Sequence, residues 1–273
     1  MKQLAAQRAW FFQRHSFVIR LVGILYLSGL VACLGYPVKS FGWDVFPTTN
    51  QIEDPKKPYA YLTVRANDNK KSIPIEVYGA ERLIDEKGKE TLRRVEDPFF
   101  IYPSQFILKP QQVQRVRIQW KGDWKNLKQE KAYRIIIDGA PIENSRQEVK
   151  EGVSIGLNIL KTFVTSLYVK PKEAKPSLKI VGRSIDKIDG KKHLVLTFLN
   201  EGKAHVTFFA PQIALYDKKM TYQFNADDIK KAIGTVIILA GQKRRCLIPC
   251  PADIPAQLAL DEAKVSLKLP MVR

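Results

Sequence analysis

Apolar and polar residues alternate with a period of two along most of the chain, the pattern of half-buried β-strands rather than helices. In Tyr59–Ala66 (YAYLTVRA), Ala60, Leu62, Val64 and Ala66 form one face, and Tyr59, Tyr61, Thr63 and Arg65 the other. Residues 73–78 (IPIEVY) repeat the theme. Val113–Trp120 (VQRVRIQW) sets Val116, Ile118 and Trp120 against Arg115, Arg117 and Gln119, and a further strand is expected over 132–138. Gly, Pro, Asn and Asp turns separate these runs, which points to a sandwich or barrel.

The longest strand-like stretch is 152–170 (GVSIGLNILKTFVTSLYVK). Val153, Ile155, Leu157 and Ile159 share a parity with Phe163 and Leu167, interrupted by Lys161 and Thr165. The opposite parity, with Ser154, Gly156, Asn158, Leu160, Thr162 and Val164, is mixed, so the working face is open by one residue. A strand of this length, about three times the usual size, either crosses a whole sandwich or bends midway. Residues 171–176 (PKEAKP) bracket charges with two prolines and read as a stiff, solvated connector. A second run of strands is expected at 178–182, 194–199, 206–210, 236–240, 243–248 and 264–269, and 225–232 (NADDIKKA) reads as a helical turn or a loop. The expected fold is all-β: two immunoglobulin-like β-sandwiches in tandem, 40–171 and 177–273, joined by 172–176.

The first 35 residues stand outside that pattern. Lys2, Arg8, Arg14 and Arg20 precede or abut an uncharged run at 21–32 (LVGILYLSGLVA), and the first acid is Asp44. A basic start followed by a short apolar core is a secretory signal, and the run is shorter than the roughly 20 residues of a membrane span. An uncleaved anchor, or lipidation at Cys33 after Leu30-Val31-Ala32, remain alternatives. The chain is therefore expected to be exported.

Composition changes the picture in two ways. Hydrophobic residues at 45% and charged residues at 26% over 273 positions are ordinary for a folded protein. The formal charge of +18 suggests an anionic partner, but the basic residues are scattered pairs rather than a tail. Neither a nucleic-acid module nor a basic stripe interleaved with aromatics stands out, which argues against nucleic acid. Enzymatic motifs are missing: there is no G-x-S-x-G elbow, P-loop, Gly-rich dinucleotide turn or H-E-x-x-H. His193 and His205 read as isolated surface or packing residues. Cys246 and Cys250 could bond only if the chain bends at Pro249, because four extended residues span roughly 13 Å. No cofactor or metal is expected.

Several motifs occur in one order. FIYPSQFILKPQQVQRVRI at 100–118 is followed by QEKAYR at 129–134, LYVKP at 167–171, LNEGKAH at 199–205, and AGQKRR with Ile248-Pro249. Asn67-Asp68-Asn69 fits an early turn. Over residues 43–255 this order resembles the periplasmic fimbrial (usher-pathway) chaperone family, in its divergent alternate or archaic branch. The resemblance implies a chaperone that stabilises pilus subunits by lending an edge strand, and that delivers them to an outer-membrane usher. Contact with the membrane would come only through the signal segment or a lipid anchor. The implied donor residues are Val153, Ile155, Leu157, Ile159 and Phe163. The family's two carboxylate-anchoring cations map near Thr49-Asn50 and to Ser166, neither of them basic here. Arg115, Arg117, Arg134 and Lys161 are the candidate replacements. Glu130 and Lys170 match an ion pair that fixes the angle between domains. The alternative is a non-chaperone immunoglobulin-like structural or accessory (lipo)protein of the cell envelope.

Overall fold

A computed structural model describes residues 42–67, 72–139, 161–252, 254–255, 258 and 263–269. The signal-like segment, Asp68-Asn69, and the stretch with Val153, Ile155, Leu157 and Ile159 lie outside the described residues.

Alternation produces the strands where it was legible. The first ten are β1 (Trp43–Phe46), β2 (Thr49–Ile52), β3 (Tyr59–Ala66), β4 (Ile73–Ile84), β5 (Glu90–Val95), β6 (Phe99–Tyr102), β7 (Gln105–Leu108), β8 (Val113–Trp120), β9 (Lys131–Gly139) and β10 (Lys161–Val169). They form two sheets, ordered β1-β3-β8-β6 and β2-β10-β9-β4-β5, with β7 also on β4. Between them lies one core, in which Leu62, Val64, Val116, Ile118, Ile137, Leu167 and Val169 are completely buried. Those are the inward members of the alternating runs, so the sequence period is what sorts them onto the inner faces. The chain enters on one sheet as β1, antiparallel to β3, and changes sheets before Thr49 to run parallel to the end of β10 as β2.

The second set comprises β11 (Leu178–Ile188), β12 (Lys191–Asn200), β13 (Val206–Phe209), β14 (Gln212–Tyr216), β15 (Thr221–Gln223), β16 (Thr235–Ile238), β17 (Lys243–Pro249) and β18 (Lys264–Lys268). These pair as β11-β12-β17, β13-β16 and β15-β14-β18 around a second core that includes Leu194, Leu196, Phe198, Phe208, Ile213 and Ile248. The molecule is all-β, with two immunoglobulin-like sandwiches in tandem. The 225–232 segment is a true helix, α1 (Ala226–Ile233), because Asn225 caps it by accepting from the Asp227 N–H at 2.8 Å, and it buries Ile229. Cys246 and Cys250 are free thiols, and burial pushes both up from the ordinary thiol range.

The connector between the sandwiches is pinned rather than simply solvated. Asn200 is fully buried; its amide donates to the carbonyls of Ala204 (2.8 Å), Ile238 (3.1 Å) and Leu239 (3.3 Å), and its Oδ1 accepts from the N–H of Ser177 and Gly202. A Cβ at Gly202 would overlap the Lys175–Ser177 backbone, so only glycine lets the connector pass this close. This gives the LNEGKA motif a physical role: it fastens the connector to the second sandwich.

Candidate functional site

β10 runs antiparallel to β9 along its whole length, from Lys161↔Gly139 to Val169↔Lys131. On its other side β2 covers only Ser166 to Val169. Among the described residues, Lys161 to Thr165 therefore form an open sheet edge. The polarity of that edge follows from the hydrogen bonds beside it. The Ser166 N–H donates to Thr48 O at 2.8 Å and the Lys170 N–H to Ile52 O at 3.0 Å. Peptide groups alternate along a strand, so the N–H and C=O of Thr162 and Val164 point to the open side, and those of Phe163 and Thr165 to β9. An open edge of this kind is a template for another strand.

Side chains of β10 alternate as well. Phe163 turns toward the first core and meets Trp43 edge to face, centroids 4.6 Å apart. Leu167 and Val169 continue that face. Val164 turns outward and is 46% exposed. Val153, Ile155, Leu157 and Ile159 share the parity of Phe163.

A charged cluster lies on the outer face where the open edge ends. Thr49, Ser166, Arg134, Ala80 and Arg94 are successive register partners across β2, β10, β9, β4 and β5. The Arg134 guanidinium donates from Nη1 to Ser166 Oγ (2.6 Å), and from Nε and Nη2 to Glu90 (2.7 and 2.9 Å). Arg82, only 4% exposed, donates to the same Glu90 carboxylate at 2.8 and 3.0 Å and to Tyr168 Oη at 2.9 Å. Burial pushes the Glu90 carboxyl up, but hydrogen bonds and charge from Arg134 and Arg82 outweigh it and hold the group below its ordinary range. Two guanidinium groups share one carboxylate, so the cluster keeps a net positive charge.

The candidate cations part company here. Arg134 stands beside Ser166. Lys161 Nζ donates to Trp43 O at 2.9 Å and lies 4.6 Å from the Phe163 ring, at the far end of the open edge. Arg115 and Arg117 are on the outer face of the opposite sheet, over the rings of Tyr61 and Tyr59 at 3.6 and 4.3 Å. Glu130 and Lys170 are not partners, which corrects the expected ion pair. Lys170 Nζ lies 3.3 Å from Glu53 Oε1, because β2 brings Glu53 alongside the end of β10. Glu130 Oε1 instead accepts from the backbone N–H of His205 (3.0 Å) and faces its Nδ1 at 2.7 Å, while the Glu130 N–H donates to Lys203 O. His205 then stacks on Tyr168. The His205 contact joins the two sandwiches, and nothing local in the sequence announces it, since its partner Glu130 is 75 residues away. Arg82 and Glu90 escaped for the same reason. Among the described residues no group of His, Cys, Asp or Glu could hold a metal ion, and no helix is long and apolar enough to cross a membrane.

Residues 55–174 match the model of a family described as "Pili and flagellar-assembly chaperone, PapD N-terminal domain". No curated protein matches the chain in sequence. Among solved structures, similar folds include one from a study entitled "Chaperone-tip adhesin complex is vital for synergistic activation of CFA/I fimbriae biogenesis". It has a TM-score of 0.52 and 15% identity, over 84% of this chain and 94% of that one. The class 5 fimbriae chaperone CfaA gives a TM-score of 0.50 at 13% identity over 84% and 100%, and the YadV chaperone 0.50 at 10% over 84% and 100%. At these identities the likeness establishes the fold.

Proposed function

We propose that this chain, whose residues 55–174 match the pili-assembly chaperone model, is an usher-pathway pilus-assembly chaperone that captures pilus subunits in the periplasm by strand donation and passes them to an outer-membrane usher. Members of that family are binding proteins, not enzymes. The observation that carries the proposal is the half-covered β10: its Lys161–Thr165 stretch offers the peptide groups of Thr162 and Val164 to an incoming strand. Main-chain hydrogen bonds along such an edge supply affinity, and alternate side chains supply specificity. A subunit with an incomplete sandwich has an apolar groove to fill, and Val153, Ile155, Leu157 and Ile159, with Phe163 next in parity, are the residues that would fill it.

A subunit carboxylate docked at the end of this strand needs a cation. Arg134 is the replacement for the basic residues that Thr49 and Ser166 lack, one strand across in the same row and hydrogen-bonded to Ser166. Arg82, bound to the same Glu90, supports it from beneath. Glu130 and His205 hold the two sandwiches together instead of binding the subunit.

The test is co-expression with a pilus subunit, followed by purification of the complex. Arg134→Gln should lose most of the co-purified subunit while the free protein remains folded by circular dichroism. Equal recovery with wild type and Arg134→Gln would overturn the anchor. Equal recovery with a variant whose β10 edge is blocked would overturn strand donation itself.

A further inference from the structure

The tip of the β4–β5 hairpin, residues 85–89, reaches the second sandwich at the free edge of β17. That strand pairs with β12 on one side, and on the other its Arg245 N–H donates to Glu86 O at 2.6 Å. The hairpin turn is tight: the Gly88 N–H donates to Asp85 O (2.9 Å), the Lys89 N–H donates to Asp85 Oδ1 (2.8 Å), and Gly88 takes a φ of +86°. Glycine is required there for a second reason, because a Cβ would overlap the Arg244 guanidinium. Beside this contact the hairpin, β17 and the C-terminal end of α1 border a cavity of about 410 Å³. A volume of this size is ample for a small molecule.

The cavity walls combine charge with apolar surface. Lys87, Arg244 and Arg245 supply cations, and Ile233 and Leu247, the latter 40% exposed, supply apolar groups. Arg245 is satisfied by Asp186 at 2.6 Å. Arg244 is not: its Nε and Nη1 are buried and have no hydrogen-bond partner among the described residues. The Cys246 thiol does not neutralise it. Charge and a hydrogen bond from Arg244 lower that thiol, but burial outweighs them and keeps it protonated. The C-terminal end of α1 brings only about half a negative charge, and Lys230 and Lys231 occupy its last turn. Buried guanidinium N–H groups without acceptors are costly, and three cations here meet one carboxylate. We propose that this crease between the sandwiches binds a small organic oxyanion, its phosphate or carboxylate group on Arg244 and Lys87 and its apolar remainder against Ile233 and Leu247. The lining comes from both sandwiches, so the ligand also stabilises their junction. The site lies on the β5 side of its sheet, three strands from β10, and does not depend on strand donation.

The probes are phenyl phosphate and phenylacetate, titrated by calorimetry into the purified protein at physiological salt. At least one should bind at a single saturable site, and the tighter of the two identifies the charged group. Arg244→Gln should weaken that binding at least about tenfold, as loss of a buried charge contact does. Lys87→Gln and Leu247→Ser should each weaken it about threefold. Lys109→Gln, in the β7–β8 turn at the opposite end of the first sandwich from the hairpin, should change it by less than about twofold. The proposal falls if neither probe binds the wild type, or if Arg244→Gln and Lys87→Gln bind as the wild type does. It falls too if Lys109→Gln weakens binding as much as they do, because only net charge is then being read. Unchanged binding with Leu247→Ser would overturn the apolar contact and with it the organic ligand. Thermal melts of each variant identify one that has lost its fold. Lys87 is exposed, so Lys87→Gln decides the matter should Arg244→Gln fail to fold.

Discussion

The rings of Tyr168 and His205 stack 3.8 Å apart and 11° from parallel, one from each sandwich. Behind the histidine stands the Glu130 carboxylate, its side chain 1% exposed, with Oε1 facing His205 Nδ1 and Oε2 without a hydrogen-bond partner among the described residues. Removing the imidazole therefore costs more than a stacking contact, since it leaves a buried carboxylate poorly satisfied. His205→Ala should lower stability by about 3 kcal/mol, whereas Glu130→Gln paired with His205→Ala should recover part of that loss. Urea unfolding of the two single variants and the double variant gives the coupling directly.

Acid should loosen the cluster at the end of β10. Glu90 has a folded-state pKa below its ordinary value, so the stability it contributes is full above the unfolded value and disappears as pH falls through the folded one. The loss should begin near pH 4.5 and deepen below it. Glu90→Gln should melt lower than wild type at pH 7, and the gap should close as pH drops toward 3. A constant gap across that range would show that Glu90 is not the titrating group.

Proline scanning can read the direction of each peptide group in β10. Val164→Pro deletes an N–H that faces the open side, a position where edge strands tolerate proline. Phe163→Pro deletes one bonded to β9. The first should abolish subunit capture while keeping a cooperative melt, and the second should unfold the first sandwich. Circular dichroism and co-purification together separate the two results. Normal subunit recovery with Val164→Pro would exclude pairing at this edge.

Leu157→Asp and Ile159→Asp test the groove-filling parity. Each should cut subunit recovery by at least about tenfold, because a charge would have to enter an apolar groove, with thermal stability of the free protein unchanged. Asn158→Asp, on the other parity, should leave recovery near wild type. The reverse pattern would move the working face by one residue.

Strands such as β3 and β8 were legible because each has one buried face and one more exposed face, and that asymmetry is written into adjacent residues. β1, β2 and β5 were not. At four to six residues they are too short for a period to register, and β5 (ETLRRV) buries almost nothing. Helix α1 was visible only as a helical turn or loop, since its one buried residue, Ile229, creates little pattern. The site divides the same way. Alternation at the end of the 152–170 stretch marked β10, and motif order pointed to Arg134. The sharing of Glu90 by Arg82 and Arg134 links residues 8 and 44 positions apart, and His205 finds Glu130 across two sandwiches. Such contacts are products of topology, which a local reading of one chain does not carry.

The short overlap of β2 with β10 has one more consequence. Pairing with Thr49 begins at Ser166, directly after the open stretch. An incoming strand can advance along β10 only until it collides with Thr49, so β2 works as an end stop. Strand pairing by itself tolerates slippage in steps of two residues, and a fixed stop removes that freedom. A first sandwich that receives a strand at this edge would thus measure it as well as hold it, with Arg134 beside Ser166 at the stop.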